Sequence, residues 1–477
     1  MTGKANSKQM RGGGLTRRSF VAGSAAAAGL TIVPRTVLGG LARPAPSERI
    51  NVAVIGTGDM GMGDLREVMR LDDVEIVAVC DVAKLVDYSK QEFGGIAGRD
   101  FALETVKRYN AERTKSGSST GCTGYEDFRE MFVEESDIDA VVVATPDHVH
   151  AAACMAAISR GKHVYCEKPL THSVYETRLV TEAARKAGVA TQMGNHGNSG
   201  EGMRLAVEWI RDGAIGPVRE VHAYSTSGKL EWTSLTRRPE EAEAIPAGLN
   251  WDLWLGPAPE RPYHSEYAPY NWRAWWDFGT GAIGDMACHN IDPAFWALDL
   301  GAPRTVEAGA TEFNDDTVPA GAIYTYEFPA RGDMPPVTLK WYDGGLLPPR
   351  PEGLEPERRF GGDGIYFVGD DGVLLMGGWA ESPRLIPESR MRAYERPSRT
   401  IARVEGHHSD WIDACRGGDA TSSNFDYAGP LTELVLLGNV ALRTGKRIHW
   451  DSENLKATNA PEADEYIKPA FRPGYDL

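Results

Sequence analysis

From residue 50 to about residue 193, short apolar runs alternate with stretches whose apolar positions recur at helical spacing. The runs 50–55, 74–80, 140–144, 163–166 and 190–193 are nearly unbroken, as strands buried on both faces are. Helices are predicted between them, notably over 60–71, 149–160 and 174–187. Strand–helix alternation implies a parallel, right-handed, doubly wound α/β sheet. The polar stretch 84–121 is longer than a simple crossover and reads as helical, broken at Gly94-Gly95.

After about residue 195 the period changes. Residues 217–227, 306–313, 320–328 and 337–342 alternate apolar and polar positions, which predicts a mostly antiparallel sheet in a second, α+β domain. Two long loops interrupt it. The loop 228–281 carries eight Trp or Tyr residues between Trp251 and Trp276, and 343–364 is rich in Pro, Gly and Arg. Helical spacing returns over 283–298, 407–416 and 427–443. The expected organisation is a first domain over 48–194, a second over 195–450 and a tail over 451–477.

Composition is that of an ordinary globular chain, 42% hydrophobic and 25% charged over 477 residues. The charge is uneven. Residues 1–43 hold seven Lys or Arg and no acid, so a net charge of −16 overall leaves −23 for residues 44–477. An acidic body of this kind repels nucleic acid and anionic membranes, and neither is expected as a partner. The six cysteines form no CxxC pair, and a disulfide framework is not expected.

The basic segment reads as a twin-arginine leader, Thr16-Arg17-Arg18-Ser19-Phe20-Val21 followed by the apolar run 21–33. That run is shorter than the roughly 20 residues of a spanning helix, and small residues and prolines follow at 39–46, as in a processed leader. Residues 1–43 are therefore expected to engage the Tat export machinery, to place the protein in the periplasm or otherwise outside the cytoplasm, and to leave no integral span in the mature chain. A nucleotide enzyme exported folded would carry its cofactor with it.

The chemistry begins at Gly56-Thr57-Gly58-Asp59-Met60-Gly61, a GxGxxG turn that follows a strand and opens a helix, the context in which this motif binds a dinucleotide. Gly56 permits the tight turn, Gly58 lets backbone approach a pyrophosphate, and Gly61 lets the helix pack on the sheet. Asp81 lies 20 residues past Gly61 at a strand end, placed to accept from a ribose 2′-hydroxyl, and no Arg follows it directly. NAD is favoured over NADP. Thr145-Pro146-Asp147-His148 ends the next strand on the same edge. Glu167-Lys168-Pro169 ends the one after, with Pro169 holding Lys168 extended. Asp285 and His289 stand four apart on one helical pattern and share a face. An ordinary His titrates near about 6.5, close to a useful value for taking an alcohol proton. No further ligand at suitable spacing makes this pair a metal site, and none is expected.

Taken together, Gly56-x-Gly58-x-x-Gly61, Asp81, Thr145-Pro146-x-x-x-His150, Glu167-Lys168-Pro169 and the Asp285/His289 pair resemble the Gfo/Idh/MocA family, which includes glucose–fructose oxidoreductases and inositol dehydrogenases. The likeness runs over roughly 48–450, and the leader and aromatic loop resemble its exported branch. It implies a Rossmann domain holding NAD through Gly56, Gly58, Asp59, Met60, Gly61, Asp81, Thr145, Pro146, His150, Glu167 and Lys168. It implies catalysis by Lys168, Asp285 and His289, with His289 as base. The expected substrate is a sugar, polyol or glycoside hydroxyl held by Asn195, His196, Trp272, Arg273, Asp285 and His289. Relatives of the exported branch also include NAD-dependent glycosidases, which oxidise, eliminate, hydrate and re-reduce, and this is the alternative activity. Assembly into a homo-oligomer is expected.

Overall fold

In a computed structural model, which describes residue 1, 48–89, 94–113 and 121–475, the alternation after residue 50 builds a six-stranded sheet. Its strands are β1 (Ile50–Ile55), β2 (Val74–Cys80), β5 (Thr123–Tyr125), β6 (Ala140–Val143), β7 (His163–Cys166) and β8 (Thr191–Met193), in the order β5-β2-β1-β6-β7-β8 and parallel throughout. β6 is buried at every position and β1 at its last four, which is why these strands read as unbroken apolar runs. The helix Val174–Ala187 shows how locally its ends are encoded. Ser173 and Glu176 form a reciprocal capping box, and Gly188 ends the helix at φ +67°.

The stretch after β2 departs from the expected helix. It starts with a two-stranded hairpin, β3 (Val86–Asp87) and β4 (Ile96–Ala97), and only then forms the helix Arg99–Arg113. Gly94 and Gly95 have φ of +62° and +102°, so the glycine pair belongs to a hairpin and not to a helix break. Gly98 N–H donates to Thr57 O at 2.9 Å, and Lys84 N–H donates to Gly248 O at 2.9 Å. The insertion is thereby tied to the glycine turn on one side and to the aromatic loop on the other.

The second sheet has nine strands: β9 (Val218–Tyr224), β10 (Thr305–Ala310), β11 (Ala322–Phe328), β12 (Val337–Tyr342), β13 (Gly364–Gly369), β14 (Gly372–Gly377), β15 (Arg384–Ile386), β16 (Ile448–Asp451) and β17 (Lys456–Ala457). The order is β15-β14-β13-β9-β12-β11-β10-β16-β17, with β9 and β12 the one parallel pair. β11 alternates in burial along its length, as a sheet covered on one face does. The helical pattern 283–298 is two helices, Gly281–Asn290 and Asp292–Ala297.

The chain then returns to the first sheet. The helix Phe425–Thr444 packs on Val174–Ala187 and β8, with the Arg178 guanidinium forked onto Glu433 at 2.8 and 2.9 Å. The helix His407–Cys415 packs on Asp59–Met69, the helix that the glycine turn opens. Residues 50–477 thus form one unit. The proposed leader falls outside the described residues except for Met1. Among the described residues, no helix is long and apolar enough to cross a membrane, and all six cysteines are free.

Candidate active site

A cavity of about 800 Å³ runs from the glycine turn to the helix Gly281–Asn290. At one end, Gly56 has φ +85° and a Cβ there would sit 2.5 Å from Ala144 O. A Cβ on Gly61 would lie 2.0 Å from Gly56 O. Both positions exclude any side chain. A Cβ on Gly58 would meet the Tyr88 hydroxyl at 2.8 Å, so the inserted hairpin lays Tyr88 over this turn. The helix that starts at Asp59 has no side-chain cap, and Gly58, Asp59 and Met60 line the cavity, an arrangement suited to an anion. Asp81 closes this end. Its carboxylate accepts from Thr57 N–H at 2.7 Å and Ala83 N–H at 2.8 Å. The carbons of Lys84 lie 3.2–3.4 Å from where a Cβ on Gly248 would be, away from the cavity lining.

These residues fit a nicotinamide dinucleotide. The three glycines leave a cradle that a Cβ would fill, and Thr145 Oγ1, at the adjoining strand end, is buried with no partner. Thr145 and Pro146 line the cavity as expected. His150 does not. Its ring is buried, with Nδ1 2.8 Å from Pro169 O and Nε2 2.8 Å from Thr145 O. It braces the two strand-end turns from beneath. Asp147 and His148, which follow at the same strand end, also serve the frame. Asp147 accepts from Thr280 Oγ1 at 2.6 Å, and the His148 ring contacts Phe278 O and Trp254 O at 3.2 and 3.0 Å.

At the other end, Lys168 Nζ donates to Asp285 Oδ1 at 2.7 Å, and Arg273 Nε approaches the same oxygen at 3.3 Å. The Arg273 guanidinium lies over the Trp272 ring, 4.3 Å from its centroid. So the forked cation expected to grip substrate is already engaged with Asp285, although Trp272 and Arg273 both line the cavity. His289 lies one turn beyond Asp285, buried, and its Nδ1 has no partner.

The charges sort by neighbour. Burial opposes ionisation of Asp285, but Lys168 and then Arg273 overcome it and hold the carboxyl well below its ordinary range. Burial likewise opposes charge on Lys168, and Asp285 overcomes it, so the ammonium is held above its ordinary value. His289 has no such support. Burial first, and then the Lys168 charge, push it down to about 3, not the ordinary value expected from its residue type. At neutral pH the site therefore pairs a charged lysine donor with a neutral imidazole acceptor.

Glu167 forms the wall behind them. Burial opposes its charge, but hydrogen bonding and attraction from His196 bring it down to about 2. His196 Nε2 lies 2.8 Å from the Tyr165 hydroxyl and 3.3 Å from Glu167 Oε1. Gly194 is required here, since a Cβ would fall 2.1 Å from Glu167 Oε1. Behind His196, Asp64 meets His408 Nε2 at 3.0 Å, and Asp64, His196 and His408 offer ligand atoms within 4.8 Å of one another. Burial raises the Asp64 carboxyl and lowers His408 to about 4, so burial opposes charge on both partners. Sequence reasoning missed this layer, although the His407-His408 doublet was visible. Asn195 is fully buried and donates to Asp292 at 2.8 Å while accepting from Ser423 at 2.6 Å. It supports the site's floor and does not line the cavity. Trp379, which lines the cavity with its ring centroid 5.9 Å from that of His289, was also missed.

A doubly wound sheet with a glycine cradle, joined to an antiparallel domain that supplies an Asp/His helix, defines a two-domain nicotinamide-binding architecture. Residues 50–195 match the oxidoreductase family's NAD-binding Rossmann fold, and 210–331 match the same family's C-terminal alpha/beta domain. The chain belongs to the Gfo/Idh/MocA oxidoreductase family. It is similar to levoglucosan dehydrogenase of Pseudarthrobacter phenanthrenivorans, 26% identical over 42% of this chain and 40% of the relative. It is also similar to a glycosyl hydrolase family 109 protein of Stenotrophomonas maltophilia, 31% identical over 32% of this chain and 29% of the relative. The match thus spans less than half the length of these curated relatives. Among solved structures, the WlbA dehydrogenase from Chromobacterium violaceum, in complex with NADH and UDP-GlcNAcA, shares the fold at a TM-score of 0.56, with 18% identity over 86% of this chain and 98% of that one.

Proposed function

We propose that this protein is an NAD-dependent oxidoreductase acting on a CH–OH group of a sugar, polyol or glycoside. The observation that carries the reading is the juxtaposition of the charged Lys168 with the neutral His289, whose Nδ1 has no partner, in one cavity with the glycine cradle. The nicotinamide, when bound, supplies the acceptor for a hydride. The chain's own residues do the rest. Gly56, Gly58, Gly61 and Asp81 would hold the nucleotide. Lys168 donates to the reacting hydroxyl and favours its alkoxide form, and His289 takes the proton. Asp285 keeps Lys168 charged and aimed.

Purified protein should release NAD(H) and not NADP(H) on denaturation, and a panel of sugars, polyols and aryl glycosides should reduce the bound nucleotide at the reduced-nicotinamide absorbance band. Release of NADP(H), or no absorbance change with any of them, contradicts the reading. The likeness to a family 109 glycosyl hydrolase supports a second reading, a redox-cycling glycosidase. That enzyme would release aglycone repeatedly, with no net absorbance change and with solvent deuterium incorporated beside the oxidised carbon.

We further propose that residues 1–43 direct export by the Tat route, supported by Arg17-Arg18 and the short apolar run behind them. Replacing both arginines with lysine should leave the protein in the cytoplasmic fraction. Unchanged periplasmic protein would point to another route.

A further inference from the structure

Tryptophan is a residue a fold normally buries. Among the described residues, Trp379 is the one exposed tryptophan, at 43%. It sits between β14 and β15 on a three-residue turn, Gly378–Ala380. Its backbone is left-handed at φ +54°, and Ala380 and Ser382 follow at +62° and +49°. Left-handed backbone disfavours all three residue types, and such strain persists only where the surroundings impose it.

Those surroundings are visible. Trp379 N–H donates at 3.0 Å to Oδ1 of Asn290, the neighbour of His289, while Asn290 Nδ2 donates to Tyr224 O at 3.0 Å. The turn's carbonyls press into two glycines of the adjacent segment. A Cβ on Gly197 would lie 2.3 Å from Trp379 O, and one on Gly202 would lie 2.2 Å from Ala380 O. Ala380 is buried at 2%. The turn is therefore fixed from both sides, and its fixed product is an open indole at the cavity wall beside the base.

We propose that Trp379 is the stacking platform for a cyclic sugar, receiving the C–H face of a pyranose while the reacting hydroxyl reaches Lys168 and His289. This rests on the oxidoreductase reading for the identity of the reacting group. The indole supplies a rigid apolar face beside polar groups that hold hydroxyls, which is the mixture a pyranose presents. The other tryptophans near the site cannot take this part. Trp251, Trp254, Trp272, Trp275 and Trp276 are all at least nine-tenths buried, Trp251 stacks on Trp254 at 4.7 Å between centroids, and the Trp272 ring is covered by the Arg273 guanidinium at 4.3 Å. The platform selects ring over open chain, because an acyclic polyol has no continuous C–H face.

The test uses the full protein with methyl α- and β-glycopyranosides and acyclic alditols as probes. Binding is read by saturation-transfer NMR and titration, and reduction of the nicotinamide is read separately by absorbance. Trp379→Ala should weaken binding and raise KM for the pyranosides about tenfold or more. It should leave kcat within about threefold and leave alditol binding unchanged. Trp379→Phe should recover most of the pyranoside affinity, and Trp379→Gly, which suits the left-handed backbone, should keep the fold while losing that affinity. Equal pyranoside affinity in native protein and Trp379→Ala overturns the platform, as does an absence of pyranoside binding in native protein. Pyranosides that bind through Trp379 but never reduce the nicotinamide leave the platform standing and overturn the oxidoreductase reading instead.

Discussion

Asp285 is the counterion of two buried cations, and replacing it with Asn tests whether that role holds the site together. Asn keeps the shape and removes the charge. Lys168 Nζ and Arg273 Nε stand 2.7 and 3.3 Å from one carboxylate oxygen, and the three side chains are only 13–20% exposed. At an effective dielectric of about 20, unit charges at those separations attract by about 6 and 5 kcal/mol. Most of this is offset by desolvation, so the pair's net contribution is small. Removing the anion alone leaves both the desolvation cost and the repulsion between the cations uncompensated, which typically costs about 3–5 kcal/mol. The assay is urea unfolding followed by tryptophan fluorescence for native protein, Asp285→Asn, and the double variant Asp285→Asn/Arg273→Met. The single variant should lose about 3 kcal/mol or more, and the double should recover part of it, because one stranded cation has gone. Without its anion, Lys168 also loses the influence that holds its ammonium above the ordinary value, so substrate binding should weaken at lower alkaline pH than in native protein. A single variant within about 1 kcal/mol of native, or a double no more stable than the single, refutes the assignment of Asp285 as counterion.

Two further outcomes follow from the same geometry. His289 is held down to about 3 and Lys168 up from its ordinary value, so the neutral base and the charged donor coexist from mildly acidic to alkaline pH. Rapid-mixing measurement of nicotinamide reduction should show no ionisation between about pH 6 and 7, where an ordinary His titrates. A sigmoid there that disappears in His289→Ala would show that burial does not depress this group. Gly61→Ala places a Cβ 2.0 Å from Gly56 O. That backbone atom cannot step aside, so the variant should lose about 1–3 kcal/mol together with its bound nucleotide, as judged by thermal melting and nucleotide content. A stable, fully loaded Gly61→Ala protein would remove this glycine from the cradle.

What was legible in the sequence depended on whether the signal was local. β1, β2, β6 and β7 are buried on both faces and announce themselves as apolar runs. The shared face of Asp285 and His289 follows from helix geometry alone. The fate of His150 does not. Both its nitrogens are taken by main-chain carbonyls of Pro169 and Thr145, an arrangement that exists only once two strand ends are adjacent. Asn195 is likewise drawn inward by Asp292 and Ser423, which lie far along the chain. The hairpin of β3 and β4, two residues a strand, is too short to carry a strand pattern, and its glycines served a turn. Trp379 sits next to two glycines and has no periodic neighbours, so nothing short of the folded turn distinguishes it from a core residue. The proton affinity of His289 is set by burial, which residue type does not encode.

The return of the last third of the chain to the first sheet sets an order of events. His408 meets Asp64 directly behind the cofactor cradle, and residues 425–444 lie along the helix Val174–Ala187. A ribosome that has made residues 48–194 has therefore produced the nucleotide turn without its backing. Neither half is a finished folding unit, and cutting the chain near residue 195 would yield two fragments with exposed apolar faces and not two proteins. The cradle acquires its rear wall only after residue 408 has been made, and the first sheet its covering over Val174–Ala187 and β8 only after residue 444. Nucleotide capture should accordingly come late, once residue 408 has been made.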